Sequence, residues 1–183
     1  MTELAAMPQY EAYKDSGGEW LGGIPEHWSV MRLKNLADIN PAPKIPYEKY
    51  DELACFLPME NVEASGQVNY ELKKPIRDLK QGFTSFQQHD VIIAKITPCF
   101  ENGKGAYLGG MPTKQGFGST EFHVLRANRH SNPKFLYYLS KTDLFMSLGE
   151  RLMTGSAGQK RVPTDFLANF FRLLADSGEL ETG

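Results

Sequence analysis

The segment with the strongest chemical character is residues 153–162, which read MTGSAGQKRV and are followed by Pro163. Gly155 and Gly158 allow backbone N–H groups to approach a ligand closely. The other groups are hydroxyls, an amide and two cations, which are the groups that contact phosphates and base edges. On its own, this composition also fits a solvated turn before a helix. The polar side chains are those of Thr154, Ser156, Gln159, Lys160 and Arg161.

Other familiar chemistries are not indicated. The GSAGQKR segment lacks the frame of a phosphate-binding P-loop, and no GxGxxG motif follows a predicted strand. The four histidines, at positions 27, 89, 123 and 130, show no metal-ligand spacing, and no serine or cysteine has a flanking base. Glu121 and His123 either face one site or belong to an ordinary strand face. We therefore predict no catalytic residues, no metal ligands and no cofactor, so that the protein is not an enzyme.

Charge is unevenly distributed along the chain. Residues 1–69 contain 5 Lys or Arg and 11 Asp or Glu, whereas residues 70–165 contain 14 and 8. These segments therefore carry net charges of −6 and +6, although the whole chain of 183 residues carries only −2. A basic middle segment attracts phosphate while the acidic start suits a different partner, and chance clustering of solvated charges is the alternative.

Composition and length fit one domain of a cytoplasmic protein. The chain is 41% hydrophobic, with 11 Phe and 8 Tyr, which is enough for a core and argues against disorder. No apolar run is long enough to cross a membrane, and the first residues lack the pattern of a secretion signal. Cys55 and Cys99 lack a metal-binding spacing, so we expect two reduced thiols.

The elements that position these residues are short. Apolar segments separated by turn residues predict an α+β fold, with a twisted, mostly antiparallel sheet and a few helices. One helix is predicted over residues 132–148 and a last one over residues 164–174. The predicted strands cover residues 54–59, 90–96, 106–108 and 120–126.

Four segments together resemble the specificity (S) subunit of type I restriction–modification systems. The resemblance covers about residues 19–170 and implies one target-recognition domain there, after a flexible N-terminal arm at 1–18 and before a divergent tail at 171–183. The segments are WLGGIPEHW at 20–28, DVIIAKITPCFENGKGA at 90–106, GFGSTEFHVL at 116–125 and MTGSAGQKRV at 153–162.

The resemblance implies DNA binding without catalysis. S subunits recognise a bipartite target in double-stranded DNA and position the methyltransferase (modification) subunit and, through it, the restriction subunit, for host defence. One target-recognition domain reads one half of the target. Cations would contact phosphates, and the other polar groups would contact base edges or phosphates. The candidate DNA-binding residues are Lys95, Lys104, Lys114, Ser119, Thr154, Ser156, Gln159, Lys160 and Arg161.

The end of the chain departs from the family pattern. S subunits continue into a long helix of an antiparallel coiled coil, but the 18 residues after Asp165 would span at most about 27 Å as a helix. We expect a chain truncated before this spacer helix, and pairing of two half-subunits stays open. The alternatives are a non-functional remnant or a module that binds a protein partner. A separate alternative is that Lys160 and Arg161 serve the junction between domain and helix rather than DNA.

Overall fold

The computed structural model describes residues 10–17, 22–156 and 158–174. The predicted N-terminal arm and C-terminal tail lie partly outside the described residues, and Trp20 lies wholly outside them. The helices are α1 (Ile76–Leu79), α2 (Pro133–Ser140), α3 (Asp143–Arg151) and α4 (Thr164–Asn169). The strands are β1 (Tyr13–Asp15), β2 (Gly23–Pro25), β3 (Ser29–Arg32), β4 (Ala37–Ile39), β5 (Leu53–Leu57), β6 (Lys73–Pro75), β7 (Thr84–Gln87), β8 (Val91–Ala94), β9 (Gly105–Tyr107), β10 (Gln115–Gly118), β11 (Phe122–Ala127) and β12 (Phe171–Leu174).

The chain divides into two compact units, and the smaller one contains the residues before Leu33 and after Phe170. Within this unit β1 pairs antiparallel with β2, and β3 pairs antiparallel with β12. The ring of Tyr10 packs against Trp28, with 5.8 Å between ring centroids. The larger unit, residues 33–170, contains all of the candidate DNA-binding residues.

Two four-stranded sheets form the larger unit. The first has the order β6-β5-β10-β7, in which β5 and β10 run parallel and the other neighbours run antiparallel. The second has the order β4-β11-β8-β9 and is antiparallel throughout. The predicted α+β architecture with mostly antiparallel pairing is therefore confirmed.

The main core of the larger unit lies between these sheets. Phe86 of the first sheet belongs to the same buried cluster as Ile92, Phe122 and Val124 of the second. All four residues of β8 are buried, and α2 packs against this strand. A strand that is covered on both faces is a continuous apolar run. This explains why a strand could be predicted over residues 90–96 from the sequence.

Two helices replace the single helix predicted over residues 132–148, so that prediction was wrong. The side chains of Asn132 and Thr142 each accept a hydrogen bond from the first turn of a helix, α2 and α3 respectively. Lys141, between the helices, donates from Nζ to the carbonyl oxygens of Gly103 and Gly105. The long-range contact of Lys141 thus ends α2, and the N-cap Thr142 starts α3. The spacing of apolar residues continues across this break, which is why the sequence predicted one helix.

The last helix is also shorter than predicted, because α4 ends at Asn169 and is followed by β12. Phe170 takes an extended conformation, with φ −60° and ψ 145°. Its ring packs edge-on against Phe145, with 4.9 Å between centroids, and it is almost fully buried. Burial of this ring and pairing of β12 with β3 outweigh the local helical pattern.

Candidate nucleic-acid interface

Residues 154–161 form a closed hairpin, here named the 154–161 hairpin. Thr154 N donates to Arg161 O at 3.0 Å, and Arg161 N donates to Thr154 O at 2.8 Å. Gly155 and Gly158 have φ values of +126° and +80°, which L side chains rarely adopt. A Cβ on Gly155 would also lie 2.8 Å from a carbonyl oxygen across the turn. The two glycines of the motif are therefore needed for the turn itself.

Backbone hydrogen bonds attach this hairpin to the second sheet. Val162 N donates to Lys95 O at 2.8 Å, and Thr97 N donates to Lys160 O at 3.0 Å. Lys95 N in turn donates to Glu121 O at 2.8 Å. The segment that follows β8 therefore lies between the hairpin and the start of β11. The hairpin continues the ladder of the sheet beyond the end of β8.

An ion pair stabilises the same attachment. Arg161 donates from Nε and Nη2 to the two carboxylate oxygens of Glu121, at 2.9 and 2.8 Å. These hydrogen bonds lower the pKa of Glu121 and raise the pKa of Arg161. The bidentate geometry fixes the guanidinium plane as well as its charge. Arg161 is thus a positioning residue for the hairpin, and its predicted contact with DNA stays a prediction.

A buried histidine supports the residue that follows the hairpin. His123 Nε2 lies 2.8 Å from Val162 O, and Nδ1 lies 3.2 Å from Asn40 Nδ2. Because the carbonyl only accepts, the network assigns the proton to Nε2 and leaves Nδ1 to accept from Asn40. Burial lowers the pKa of His123, which favours this neutral form. Glu121 and His123 therefore both support the 161–162 segment, although sequence reasoning had left their role open.

Sequence reasoning missed Asn40 as part of this support. Its Oδ1 accepts from Val124 N at 2.9 Å, and its own backbone has a φ of +51°. Asparagine tolerates this left-handed conformation better than most residues, which is the only local signal for it. The contacts themselves join positions more than 80 residues apart in the chain.

The tip of the hairpin presents polar side chains to solvent. Ser156, Gln159 and Lys160 are exposed, and within the described residues their side chains make no hydrogen bond or ion pair. One backbone hydrogen bond joins two of them, since Gln159 N donates to Ser156 O at 3.0 Å. A hydroxyl, an amide and an ammonium group exposed in this way can bind base edges or phosphates without breaking a hydrogen bond to another described residue. Thr154 is exposed beside them.

Three further candidates lie below the tip or away from it. Ser119 Oγ accepts from Glu121 N at 3.2 Å and so caps the turn before β11. Lys95 is half-buried in the segment that attaches the hairpin. Lys104 Nζ donates to Met59 O at 3.3 Å, so this ammonium already has a partner within the fold. Their contacts with DNA remain predictions, and the structure gives each of them a structural role as well.

Lys114 lies at the opposite end of β8 from the hairpin. It lines an open cavity of about 690 Å³, here named the lysine groove. The groove adjoins the turn before β8, whereas the hairpin adjoins the segment after it. The structure therefore separates Lys114 from the other candidates. The groove is lined by Lys44, Lys49, Glu52, Gln87, His89 and Lys114, among others.

No group of three or more His, Cys, Asp or Glu is placed to hold a metal ion in the described part of the chain. Cys55 and Cys99 are free thiols. Over the same described residues, no helix has the length and apolar character needed to span a bilayer.

Comparison with known proteins gives two close relatives. The chain is 42% identical over 149 residues to the type I restriction enzyme EcoAI specificity subunit of Escherichia coli. It is 39% identical over 150 residues to the type I restriction enzyme EcoEI specificity subunit of the same organism. Each match covers 80% of this chain and 25% of the relative, so the chain spans about a quarter of the length of the curated relatives it matches. No protein-family model matches the chain.

Two solved structures share its fold. The HsdS subunit from Thermoanaerobacter tengcongensis has a TM-score of 0.64 at 19% identity, covering 82% of this chain and 38% of that one. A chain from a study of complex assembly and conformational transition in the type I R-M system has a TM-score of 0.64 at 21% identity, with the same coverage. Likeness at this identity shows the fold alone, whereas the closer curated relatives show common descent. Over 80% of its length, the chain is homologous to a segment of the specificity subunits of type I restriction enzymes.

Proposed function

We propose that this chain recognises one half of a bipartite target in double-stranded DNA, as part of a type I restriction–modification system. The observation that carries the proposal is the 154–161 hairpin, which presents exposed polar side chains without a partner among the described residues, in a homologue of specificity subunits. The major groove of B-DNA is about 12 Å wide and admits a two-stranded β-ribbon. A narrow hairpin with an ordered base is therefore suited to enter it.

The side chains at the tip have distinct roles in this proposal. The amide of Gln159 is suited to bidentate hydrogen bonds with the N6 and N7 atoms of adenine, and the Ser156 hydroxyl can donate to or accept from a base edge. The exposed ammonium of Lys160 contacts a phosphate. Arg161 positions the hairpin through Glu121.

The chain has no catalytic step of its own in this proposal. It places the modification subunit, and through it the restriction subunit, on DNA in the cytoplasm. Light scattering of the chain alone and with the modification subunit tests this assembly. A complex heavier than the modification subunit by 20.6 kDa, or by twice that mass for a dimer of half-subunits, would support it. If the masses stay separate, the assembly proposal is wrong and the DNA proposal is tested independently.

Fluorescence anisotropy with a duplex selected from a random pool tests DNA recognition. Binding should weaken steeply between about 50 and 200 mM salt. Lys160→Ala should weaken binding to all sequences and reduce the slope of log K against log salt by about 0.9. Gln159→Ala should instead relax the preference at one position, at a cost of about 1–3 kcal/mol. Lys134→Ala, at an exposed lysine on α2, is the matched control.

The two variants separate the possible failures. Absence of binding by the unaltered chain at low salt would contradict DNA recognition and favour a module for a protein partner or a non-functional remnant. Binding by the unaltered chain that neither Lys160→Ala nor Gln159→Ala changes would show that the hairpin is not the contact surface.

A further inference from the structure

The lysine groove has a clear excess of positive charge. Lys44 and Lys114 are exposed and form no ion pair with any described residue. Lys49 lies 3.9 Å from Glu52, and both side chains are about half exposed. An exposed pair at this distance is weak and is readily exchanged for another partner. Three ammonium groups therefore line the groove against a single carboxylate.

The floor of the groove is ordered and polar. Gln88 Nε2 donates to Met111 O at 3.0 Å, and Gln115 Nε2 donates to Phe86 O at 2.9 Å. His89 Nδ1 lies 2.7 Å from the hydroxyl of Tyr107. Small-molecule pockets are mostly apolar and enclose their ligand, and this open groove with cationic walls is not of that kind. Its chemistry fits an extended anion.

The position of the groove relates it to the hairpin. Both adjoin β8, and seven residues separate His89 at the groove from Ile96, which pairs with Arg161 of the hairpin. The four residues of β8 span about 13 Å at about 3.3 Å per residue, so the groove and the hairpin adjoin opposite ends of this strand.

We propose that the lysine groove binds the phosphodiester backbone of the same duplex, away from the bases that the hairpin contacts. Lys44 and Lys114 supply the contacts, and Lys49 joins them when it leaves Glu52. This inference rests on the proposed DNA-recognition function and adds a second contact surface to it. Because phosphate contacts do not depend on the base, the groove contributes affinity and register but no preference for a sequence.

Charge variants of the groove test the proposal by the anisotropy assay. The double variant Lys44→Ala/Lys114→Ala should reduce the salt slope by about 1.8 and weaken binding roughly eightfold per lysine at about 0.1 M salt. The preferred sequence should not change. Glu52→Gln removes the only carboxylate lining the groove, as far as the structure describes it, and should tighten binding with a steeper salt slope. A gain in affinity cannot be explained by misfolding.

A truncated duplex locates the contact. Removing base pairs from the end that reaches the groove should weaken binding by the unaltered chain and have a smaller effect on the Lys44→Ala/Lys114→Ala variant, which keeps Lys49. If the double variant binds as tightly as the unaltered chain while Lys160→Ala weakens binding, the groove proposal is wrong and the proposed function stands. If the unaltered chain binds no duplex, the proposed function itself is wrong.

Discussion

Replacing Arg126 by methionine should destabilise the larger unit more than replacing its partner Asp90 by asparagine. Arg126 donates from Nε and Nη2 to the two oxygens of Asp90, at 2.9 and 2.8 Å. Gln87 N also donates to Asp90, at 2.7 Å. The Asp90 side chain is 3% exposed, whereas that of Arg126 is 29% exposed. The order of the two effects follows from this difference in burial.

The magnitudes follow from what each variant leaves behind. Arg126→Met leaves a carboxylate that water cannot reach, and breaking a buried pair in this way costs about 3–5 kcal/mol. Asp90→Asn keeps an acceptor for Gln87 N, and the partly exposed guanidinium can turn to water. Its cost should be about 2 kcal/mol, the value of a hydrogen bond to a charged group. The double variant Asp90→Leu/Arg126→Met should cost less than Arg126→Met alone, because no buried charge remains.

Urea denaturation of the four proteins at neutral pH measures these free energies of unfolding. Equal costs for the two single variants, or a larger cost for Asp90→Asn, would show that burial does not set the order. With Asp90→Leu measured as well, effects of Asp90→Leu and Arg126→Met that add in the double variant would show that the two side chains are not coupled. The Asp90–Arg126 pair also supports the turn that lines the lysine groove. Asp90 follows His89 in this turn and accepts a hydrogen bond from the backbone N–H of Gln87.

Three further predictions concern the sheets and the base of the hairpin. Gly118→Ala would place a Cβ 2.4 Å from a carbonyl oxygen of β5, and it should lower the free energy of unfolding by about 1–3 kcal/mol, measured by thermal unfolding. The control Gly110→Ala, which has open space around the new Cβ, should leave the stability unchanged. Burial lowers the pKa of His123 below 6.5 in the folded state. The contribution of neutral His123 to stability should therefore be complete above pH 6.5 and decline as pH falls from 6.5 towards the folded pKa. Urea midpoints measured against pH should lose this decline in the variant His123→Gln. Glu121→Gln should weaken DNA binding if Arg161 only positions the hairpin, although a negative charge is removed; tighter binding would mean that Arg161 contacts phosphate itself.

The elements with strong local patterns could be predicted from the sequence. The apolar run of β8 and the Asn-Gly turn after it depend on neighbouring residues, and Gly103 in that turn has a φ of +68°. The break between α2 and α3 could not be predicted from apolar spacing, because Lys141 and Thr142 interrupt it through contacts rather than hydrophobicity. Strand β12 depends on pairing with β3, some 140 residues earlier in the chain.

The candidate interface could be predicted in composition but not in arrangement. The glycines and polar residues of the 154–161 hairpin indicated either a ligand-facing segment or a solvated turn. The pairing of Arg161 with Glu121 was not, since 40 residues separate them and either charge could have been solvated. Lys114 was predicted to bind DNA together with the hairpin residues. The distribution of charge along the chain does not show that Lys114 lies near the start of β8 while the hairpin lies near its end.

The structure separates the residues that hold the hairpin from those that are free to contact a ligand. Glu121 and His123 bind the 161–162 segment, and we expect their replacement to change both stability and the position of the tip. Among the described residues, Ser156 and Gln159 make only backbone hydrogen bonds, so we expect their side chains to change at little cost to the fold. Under the proposed function, we expect that a domain with this division could acquire a new target sequence by substitutions at the tip. Substitutions at the base would instead weaken binding to every sequence alike.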